Sequence, residues 1–146
     1  ETGLVTRPPQ VFHARFEPAR IADFKTVLAR SRDHAARIAD ARPAPRFHAE
    51  VPEPRAGLRG GHIPNSLSVP VSLLTEAGWM KSPAELARLF AERGLALDKP
   101  IITSCGSGIT AATLALALQL AGADDVAVYD GSWAEWGARR DAEVET

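Results

Sequence analysis

The sequence predicts an α/β domain whose central parallel sheet carries helices on both faces. Short apolar segments typical of buried strands alternate along the chain with segments of helical periodicity. The length of 146 residues fits one domain, and surface scaling leaves roughly two-thirds of the unfolded chain's surface buried. Apolar residues make up 45% of the chain and charged residues 24%, an ordinary balance for a globular protein.

The first half of the chain is predicted to contain three strands, one helix and one long loop. Residues 11–16 alternate with period two and predict a strand, and apolar spacing predicts a helix over 18–30. Short apolar segments predict strands at 36–40 and 66–70. Residues 42–64 contain five prolines and three glycines without periodicity. Loops of this length in compact domains are usually functional or disordered.

The second half is predicted to contain three helices and two strands. Ser82-Pro83-Ala84-Glu85 is a capping box with proline at the first helical position, so a helix begins there. Apolar segments predict strands at 101–104 and 126–129. Residues 109–121 alternate in part like a strand, but their length and alanine content favour a helix. A final helix is predicted from Ser132.

The predicted domain covers residues 11–140. Residues 1–10 include two consecutive prolines and are predicted to be a linker or arm. Residues 141–146 are predicted to be a polar tail, the last part of a frayed end that begins at Arg139. Because the chain begins with Glu1 rather than Met and shows no signal-peptide pattern, we expect a processed product or a piece of a longer protein.

Charge, hydropathy and cysteine count argue against several classes of function. The chain has 17 Lys and Arg against 18 Asp and Glu, a balance that argues against a nucleic-acid partner. The longest apolar stretch, 109–121, is too short to span a membrane, so no membrane partner is expected. The single cysteine excludes an intramolecular disulfide and a multi-cysteine metal site. The lack of disulfides predicts a reducing compartment, the cytoplasm.

Cys105 is the candidate nucleophile because of its position in the predicted fold. It ends an apolar strand and precedes a turn into a helix, and chemistry in open parallel sheets lies just beyond the strands' carboxyl ends. Turn N–H groups and a helix N-terminus lower a cysteine pKa from about 8.5 to between about 3.5 and 7.5. Gly106 and Gly108 let the backbone close around a sulfur or an anion, and Ser107 and Thr110 add hydroxyls. The alternative is a buried cysteine that only packs.

A cysteine in this position can also serve phosphatase or protease chemistry. A cysteine before such a loop is also found in Cys-dependent phosphatases, which need an arginine after the loop to bind phosphate. Here Ala111 occupies that place, and no Arg or Lys lies between Cys105 and Arg139, so phosphatase activity is disfavoured. A protease-like Cys–His pair stays open, because none of the four histidines can be placed beside Cys105 from the sequence.

Six motifs follow one another along the chain. They are Asp40-Ala41-Arg42, Arg46-Phe47, Pro52-Glu53-Pro54-Arg55, Gly61-His62-Ile63-Pro64-Asn65-Ser66, Cys105-Gly106-Ser107-Gly108-Ile109-Thr110-Ala111 and Tyr129-Asp130-Gly131-Ser132-Trp133-Ala134-Glu135-Trp136-Gly137. In this order, over about residues 8–140, they resemble the C-terminal catalytic domain of two-domain rhodanese-type sulfurtransferases. The resemblance implies a rhodanese-like fold with a central parallel five-stranded sheet, and a second rhodanese-like domain N-terminal to this one.

The resemblance also implies a persulfide mechanism without a metal or organic cofactor. The Cys105 thiolate would take a sulfur from a small donor and pass it to a thiol, a thioredoxin-like protein or cyanide. The Cys-Gly-Ser-Gly sequence resembles that of mercaptopyruvate-preferring members rather than the Cys-Arg-Lys-Gly of thiosulfate-preferring ones. The expected donor is therefore 3-mercaptopyruvate, with thiosulfate as the alternative. A non-catalytic rhodanese-like binding module is a further alternative, which the presence of Cys105 disfavours.

By the same resemblance, two residues are catalytic and several bind the donor. Cys105 is the nucleophile, and Ser107 assists proton transfer. Arg46 and Arg55 match the donor-binding arginines, whose planar forks suit a carboxylate and a keto oxygen. The remaining contacts would come from the loop and the start of the helix: Gly106, Gly108, Ile109 and Thr110.

Other polar and aromatic residues are expected to be structural. Asp40, Arg42 and His62 are predicted to form a polar network that pins the long loop, since buried polar groups need partners. The two tryptophans of the last motif are predicted to pack in the core or at a domain interface. Arg59 is expected to be solvated.

Overall fold

Five parallel strands form the central sheet of the computed structural model, which describes residues 10, 11 and 13–146. The strands of this sheet are β1 (Ile21–Ala22), β2 (Arg37–Asp40), β3 (Ser66–Ser68), β6 (Ile101–Ser104) and β7 (Val126–Tyr129). Their order is β1-β7-β6-β2-β3, and each neighbouring pair is parallel. The strands β4 (Thr75–Glu76) and β5 (Trp79–Met80) form a separate antiparallel hairpin.

Helices cover both faces of this sheet. They are α1 (Phe24–Asp33), α2 (Ala44–Phe47), α3 (Pro83–Glu92), α4 (Ile109–Leu120) and α5 (Ser132–Trp136), with 3-10 helices at Pro18–Arg20 and Val71–Leu73. Alternate strand residues point to opposite faces, so Ile101 of β6 packs with α3 and α4 whereas Ile102 packs with α1 and α5. The predicted α/β class, with a five-stranded parallel sheet and helices on both faces, is therefore confirmed.

Most predicted elements lie where the sequence pattern placed them. Strands β2, β3, β6 and β7 and helices α4 and α5 fall within the predicted ranges. At the start of α3, Ser82 and Glu85 form the predicted capping box: the Glu85 N–H donates to Ser82 Oγ at 3.4 Å, and the Ser82 N–H donates to Glu85 Oε2 at 2.9 Å.

The predicted strand over 11–16 is wrong, and so is the beginning of the first predicted helix. Residues 13–16 form no strand, and the side chain of Phe16 is 73% exposed. The edge strand is instead β1, because Ile21 and Ala22 pair with β7. The helix begins only after Asp23, whose side chain accepts a hydrogen bond from the Thr26 N–H at 2.8 Å. Apart from Gln10, the linker predicted over 1–10 lies outside the described residues.

The polar tail is not the frayed end that its composition predicted. Ala142 is buried, and the backbone of Glu145 exchanges two hydrogen bonds with that of His62, at 2.8 and 3.0 Å. A side chain at Gly61 would place its Cβ 2.3 Å from the Glu145 carbonyl oxygen, so this close contact requires glycine. The tail therefore holds the long loop between β2 and β3. In the described part of the chain, no helix is long and apolar enough to cross a membrane.

Candidate active site

Cys105 lies directly after β6, at the carboxyl end of the sheet, and the loop 105–108 leads from it into α4. Only 2% of the cysteine is exposed. The Ser107 N–H donates to Cys105 Sγ at 3.4 Å, and the Ser132 hydroxyl lies 4.0 Å from the same sulfur. The sulfur therefore sits among donors that would stabilise a negative charge.

These donors outweigh burial in setting the ionisation of Cys105. Burial is the largest single influence and raises the pKa of the thiol. Hydrogen bonds from the Thr110 hydroxyl, from the N–H groups of Ser107 and Ala111, and from Ser132 act in the opposite direction. Together they hold the pKa of Cys105 below its ordinary value. A lowered pKa is what distinguishes a reactive cysteine from one that only packs.

Helix α5 fixes the backbone of the cysteine loop. The Trp133 N–H donates to the Cys105 carbonyl at 2.9 Å, and the Ala134 N–H donates to the Gly106 carbonyl at 3.0 Å. The Cys105 N–H donates to Ser132 Oγ at 3.1 Å, and the single proton of that hydroxyl can go to either of two acceptors, the Tyr129 carbonyl oxygen at 2.8 Å or Cys105 Sγ at 4.0 Å. Ser132 holds a left-handed backbone conformation with φ of 48° while making these bonds.

Ser132 is a site residue that the sequence reasoning missed. The available signal was its place directly after β7, because β6 and β7 are neighbours whose carboxyl ends meet at one edge of the sheet. Without the strand order, its hydroxyl could not be assigned to Cys105.

Both predicted loop glycines face close neighbours. Gly108 has a φ of 87°, and a Cβ there would lie 2.9 Å from the Asp130 carbonyl oxygen. A Cβ at Gly106 would lie 3.1 Å from Arg46 Nη2. The guanidinium of Arg46 is therefore placed directly against the cysteine loop.

A buried ion network holds Arg46 in that position. Glu53, with 1% of its side chain exposed, accepts hydrogen bonds from Arg46 Nε at 3.1 Å and Nη2 at 2.6 Å. The hydrogen bond to Glu53 raises the pKa of Arg46. Arg42 donates to Glu53 Oε1 at 3.0 Å and to Asp40 Oδ2 at 2.7 Å.

The predicted network of Asp40, Arg42 and His62 around the long loop is confirmed, with Glu53 as a member that was not predicted. Arg42 Nη2 also donates to the Gly61 carbonyl at 2.8 Å. The His62 ring stacks on Phe47 with centroids 3.8 Å apart. The predicted packing of the two tryptophans is likewise confirmed, because Trp133 and Trp136 are fully buried in the core.

The two predicted donor-binding arginines, Arg46 and Arg55, line one small cavity beside the cysteine loop. Its volume is about 160 Å³, and its lining residues are Arg46, Glu53, Pro54, Arg55, Leu58, Gly106 and Ser107. The other predicted residues lie elsewhere: Gly108 is buried against Asp130, and Ile109 is 76% exposed at the start of α4. The Thr110 hydroxyl is outside the cavity lining and helps to lower the pKa of Cys105.

Arg59 is not solvated, contrary to expectation. Its guanidinium donates to four backbone carbonyls at the end of α5 and in the tail, those of Trp136, Gly137, Arg139 and Ala142. A lone arginine in a loop carries no signal for such contacts, because its partners lie about 80 residues later in the sequence.

Two larger cavities, of about 390 and 420 Å³, lie at the amino ends of the strands and beside α4, and Cys105 lines neither. Among the described residues, no group of three or more His, Cys, Asp or Glu side chains is placed to hold a metal ion.

Comparison with known proteins identifies a family for the chain. The model of the rhodanese-like domain matches residues 23–139. The chain is 50% identical to 3-mercaptopyruvate sulfurtransferase of Escherichia coli K12 over 99% of its own length and 52% of the relative's. It is 41% identical to rat thiosulfate sulfurtransferase over 98% of this chain and 49% of the relative.

Solved structures give the same result. SseA of Escherichia coli, a 3-mercaptopyruvate sulfotransferase, matches with a TM-score of 0.72 and 47% identity, covering 91% of this chain and 49% of SseA. The sulfur transferase subunit of yeast mitochondrial complex I matches with a TM-score of 0.81 and 37% identity, covering 95% of this chain and 52% of that subunit. The chain thus spans about half the length of the relatives that it matches. It belongs to the rhodanese-like domain family.

Proposed function

We propose that this chain is the sulfur-carrying domain of a sulfurtransferase that takes sulfur from 3-mercaptopyruvate and delivers it through a persulfide on Cys105. The observation that carries the proposal is the lowered pKa of Cys105 beside a cavity lined by two arginines. A thiolate provides the nucleophile, and arginines provide partners for the carboxylate of a small donor.

Loading begins with attack of the Cys105 thiolate on the donor sulfur. The new S–S bond forms as the bond between that sulfur and C3 of the donor breaks. The electron pair of the broken bond leaves on the organic fragment as the enolate of pyruvate, which then takes a proton. The products are the persulfide, Cys–S–SH, and pyruvate.

Transfer then returns the cysteine to its starting state. An acceptor thiolate attacks the outer sulfur of the persulfide, and the electron pair of the S–S bond returns to Cys105 as a thiolate. Thiols, a thioredoxin-like protein and cyanide are the proposed acceptors. The N–H of Ser107 and the Thr110 hydroxyl would stabilise Cys105 both as the nucleophile and as the leaving group.

The site residues have separate proposed roles. Arg46 and Arg55 bind the carboxylate and keto oxygens of the donor, since both line the cavity. Ser107 lines the same cavity and assists protonation of the departing enolate. Of the other predicted residues, Gly106 lines the cavity and Thr110 stabilises the thiolate, whereas Gly108 and Ile109 lie outside the cavity lining and form the turn into α4.

Thiosulfate is the second candidate donor, because the matched relatives include a thiosulfate sulfurtransferase. The absence of Lys and Arg from residues 106–111 favours 3-mercaptopyruvate, which carries one negative charge where thiosulfate carries two. A non-catalytic binding module is disfavoured, because a module that only binds has no need of a cysteine with a lowered pKa.

We also propose that a second rhodanese-like domain precedes residues 11–140 in the longer protein. The relatives are about twice as long as this chain, which supports the proposal. A persulfide carrier needs a reduced thiol, so the proposed location is the cytoplasm.

Mass spectrometry of the intact protein tests the proposed function. The chain is incubated with 3-mercaptopyruvate or with thiosulfate, and the Cys105→Ser variant serves as the control. We expect a gain of one sulfur atom that is absent in C105S and faster with 3-mercaptopyruvate. If neither this chain nor the longer protein containing it gains sulfur from either donor, the proposed function is wrong.

A further inference from the structure

The cavity beside Cys105 contains an acidic residue among its arginines. Of its lining residues, Arg46 and Arg55 are cationic, Glu53 is anionic and the others carry no charge. The three charges sum to +1. A carboxylate repels an anionic donor, so the position of Glu53 in the lining needs an explanation.

The contacts of Glu53 show what it does to Arg46. Its two oxygens accept from Nε and Nη2 of Arg46, so one edge of that guanidinium is occupied by the protein itself. Glu53 also accepts from Arg42, but Arg42 is already paired with Asp40 at 2.7 Å. The opposite charges of Asp40 and Arg42 cancel each other. The negative charge of Glu53 therefore neutralises mainly the positive charge of Arg46.

Among the residues that the structure describes, Arg55 is then the cavity cation that has no carboxylate partner. It is exposed, whereas Arg46 has only 22% of its side chain exposed. The Cys105 thiolate brings the net charge beside the cavity to zero, so a donor with one negative charge leaves one charge unmatched and a dianion leaves two. Each unmatched charge is costly in a partly desolvated cavity, where charge interactions are stronger than in water.

We propose that Glu53 is the residue that sets the donor charge this site prefers, selecting a monoanion such as 3-mercaptopyruvate over a dianion such as thiosulfate. This inference rests on the proposed function and adds a specificity-determining residue to it. Thiosulfate would load Cys105 by attack of the thiolate on its outer sulfur. The S–S bond of the donor breaks, and its electron pair leaves on sulfite. Because the same nucleophile serves both donors, the ratio of their loading rates isolates donor recognition from cysteine reactivity.

Two variants test the role of charge by different routes. Glu53→Gln removes the negative charge while keeping the shape and one acceptor oxygen. Pro54→Lys adds a positive charge at an exposed lining position and leaves the buried ion network intact. The control, Glu50→Gln, makes the same change in net charge at an exposed residue outside the cavity lining.

The measurement is the second-order rate constant for gain of sulfur by the intact protein with each donor. In E53Q and in P54K we expect the ratio of the thiosulfate constant to the 3-mercaptopyruvate constant to rise by about tenfold, the effect of one unit of charge at short range. In E50Q we expect no change in that ratio.

The outcomes separate this inference from the proposed function. An unchanged ratio in E53Q, with loading still measurable, overturns the role of Glu53 whatever P54K does, and leaves the sulfurtransferase proposal standing. An equal loss with both donors in E53Q, together with an unchanged ratio in P54K, assigns Glu53 a purely structural role. If E53Q does not fold, P54K tests the premise that the charge of the cavity sets the donor preference: an unchanged ratio overturns the inference, and a rise of about tenfold supports it. Failure of the unsubstituted protein to load from either donor overturns the proposed function and this inference with it.

Discussion

Ionisation of Cys105 depends on hydrogen bonds that come from two separate parts of the chain. Ser107, Thr110 and Ala111 follow the cysteine directly, whereas Ser132 comes from the segment after β7. Because these bonds lower the pKa of Cys105, the thiolate persists at pH values where a free cysteine is protonated. Sulfur loading should therefore titrate with a midpoint below that of an ordinary cysteine and should fall as pH falls through that midpoint.

Thr110→Val should move this midpoint to higher pH. Valine keeps the shape of the side chain but removes the hydroxyl that donates to the sulfur, so the thiolate loses one stabilising bond. A shift of roughly one pH unit is expected from a hydrogen bond of about 1.4 kcal/mol. The measurement is the rate of alkylation of Cys105 against pH.

Thr113→Val is the matched control for this substitution. Thr113 lies on the same helix, partly buried, and is not among the groups bonded to the sulfur. A midpoint that moves equally in both variants, or in neither, would contradict the assignment of Thr110.

At the scale of single residues, the sequence predicted the neighbours of Cys105 that follow it directly along the chain. The glycines and hydroxyls of the loop belong to one contiguous motif, so their proximity to the sulfur follows from chain connectivity. Ser132, 27 residues away, and Glu53 required the strand order and the path of the long loop. Arg59 was misjudged for the same reason, because its partners are backbone carbonyls that no side-chain pattern indicates.

The turn from β6 into α4 depends on the backbone conformation of Gly108. Gly108→Ala combines two costs, a positive φ for a residue with a Cβ and a contact of 2.9 Å with the Asp130 carbonyl oxygen. We expect the free energy of unfolding to fall by at least about 2 kcal/mol, together with a loss of sulfur loading. Denaturant unfolding followed by fluorescence of the buried tryptophans measures the change.

Gly122→Ala isolates the first of these costs. Gly122 ends the same helix with a φ of 102°, and a Cβ there meets no atom within 4 Å. The substitution should cost about 1 kcal/mol, from backbone strain alone. Equal losses in the two variants would show that the contact with Asp130 adds nothing.

Among the elements, the strands and helices that are mostly buried were predicted well. Strands β6 and β2 are buried along most of their length, and α4 is apolar on most sides. Their apolar composition is therefore enough to locate them in the sequence. Strand β1 has only two residues, and the β4–β5 hairpin is equally short. Such short strands are defined by their pairing partners and leave little periodic signal in the sequence.

In the molecule as a whole, the candidate site is assembled from segments that three neighbouring strands bring to one edge of the sheet. Strand β6 supplies the cysteine, β7 leads to Ser132, and β2 leads into the long loop that carries the arginines and Glu53. The C-terminal tail holds the far end of that loop through the backbone pairing of His62 and Glu145. The geometry of the cavity beside the cysteine loop therefore depends on contacts between the C-terminal tail and the middle of the chain.

Deletion of residues 142–146 tests this dependence. The deletion removes two backbone hydrogen bonds to His62, the bond from Trp136 Nε1 to the Glu143 carbonyl, the bond from Arg59 Nη1 to the Ala142 carbonyl and the buried side chain of Ala142. At about 1 kcal/mol for each of the four hydrogen bonds, we expect the free energy of unfolding to fall by about 4 kcal/mol. The donor concentration needed for half-maximal loading should rise as the loop loosens. The control is Glu145→Ala, which removes the exposed carboxylate that lies 3.7 Å from His62 Nε2 but keeps both backbone bonds. It should change stability by less than about 0.5 kcal/mol. If both variants behave like the unsubstituted protein, the tail does not support the cavity, and the buried ion network alone holds the arginines in place.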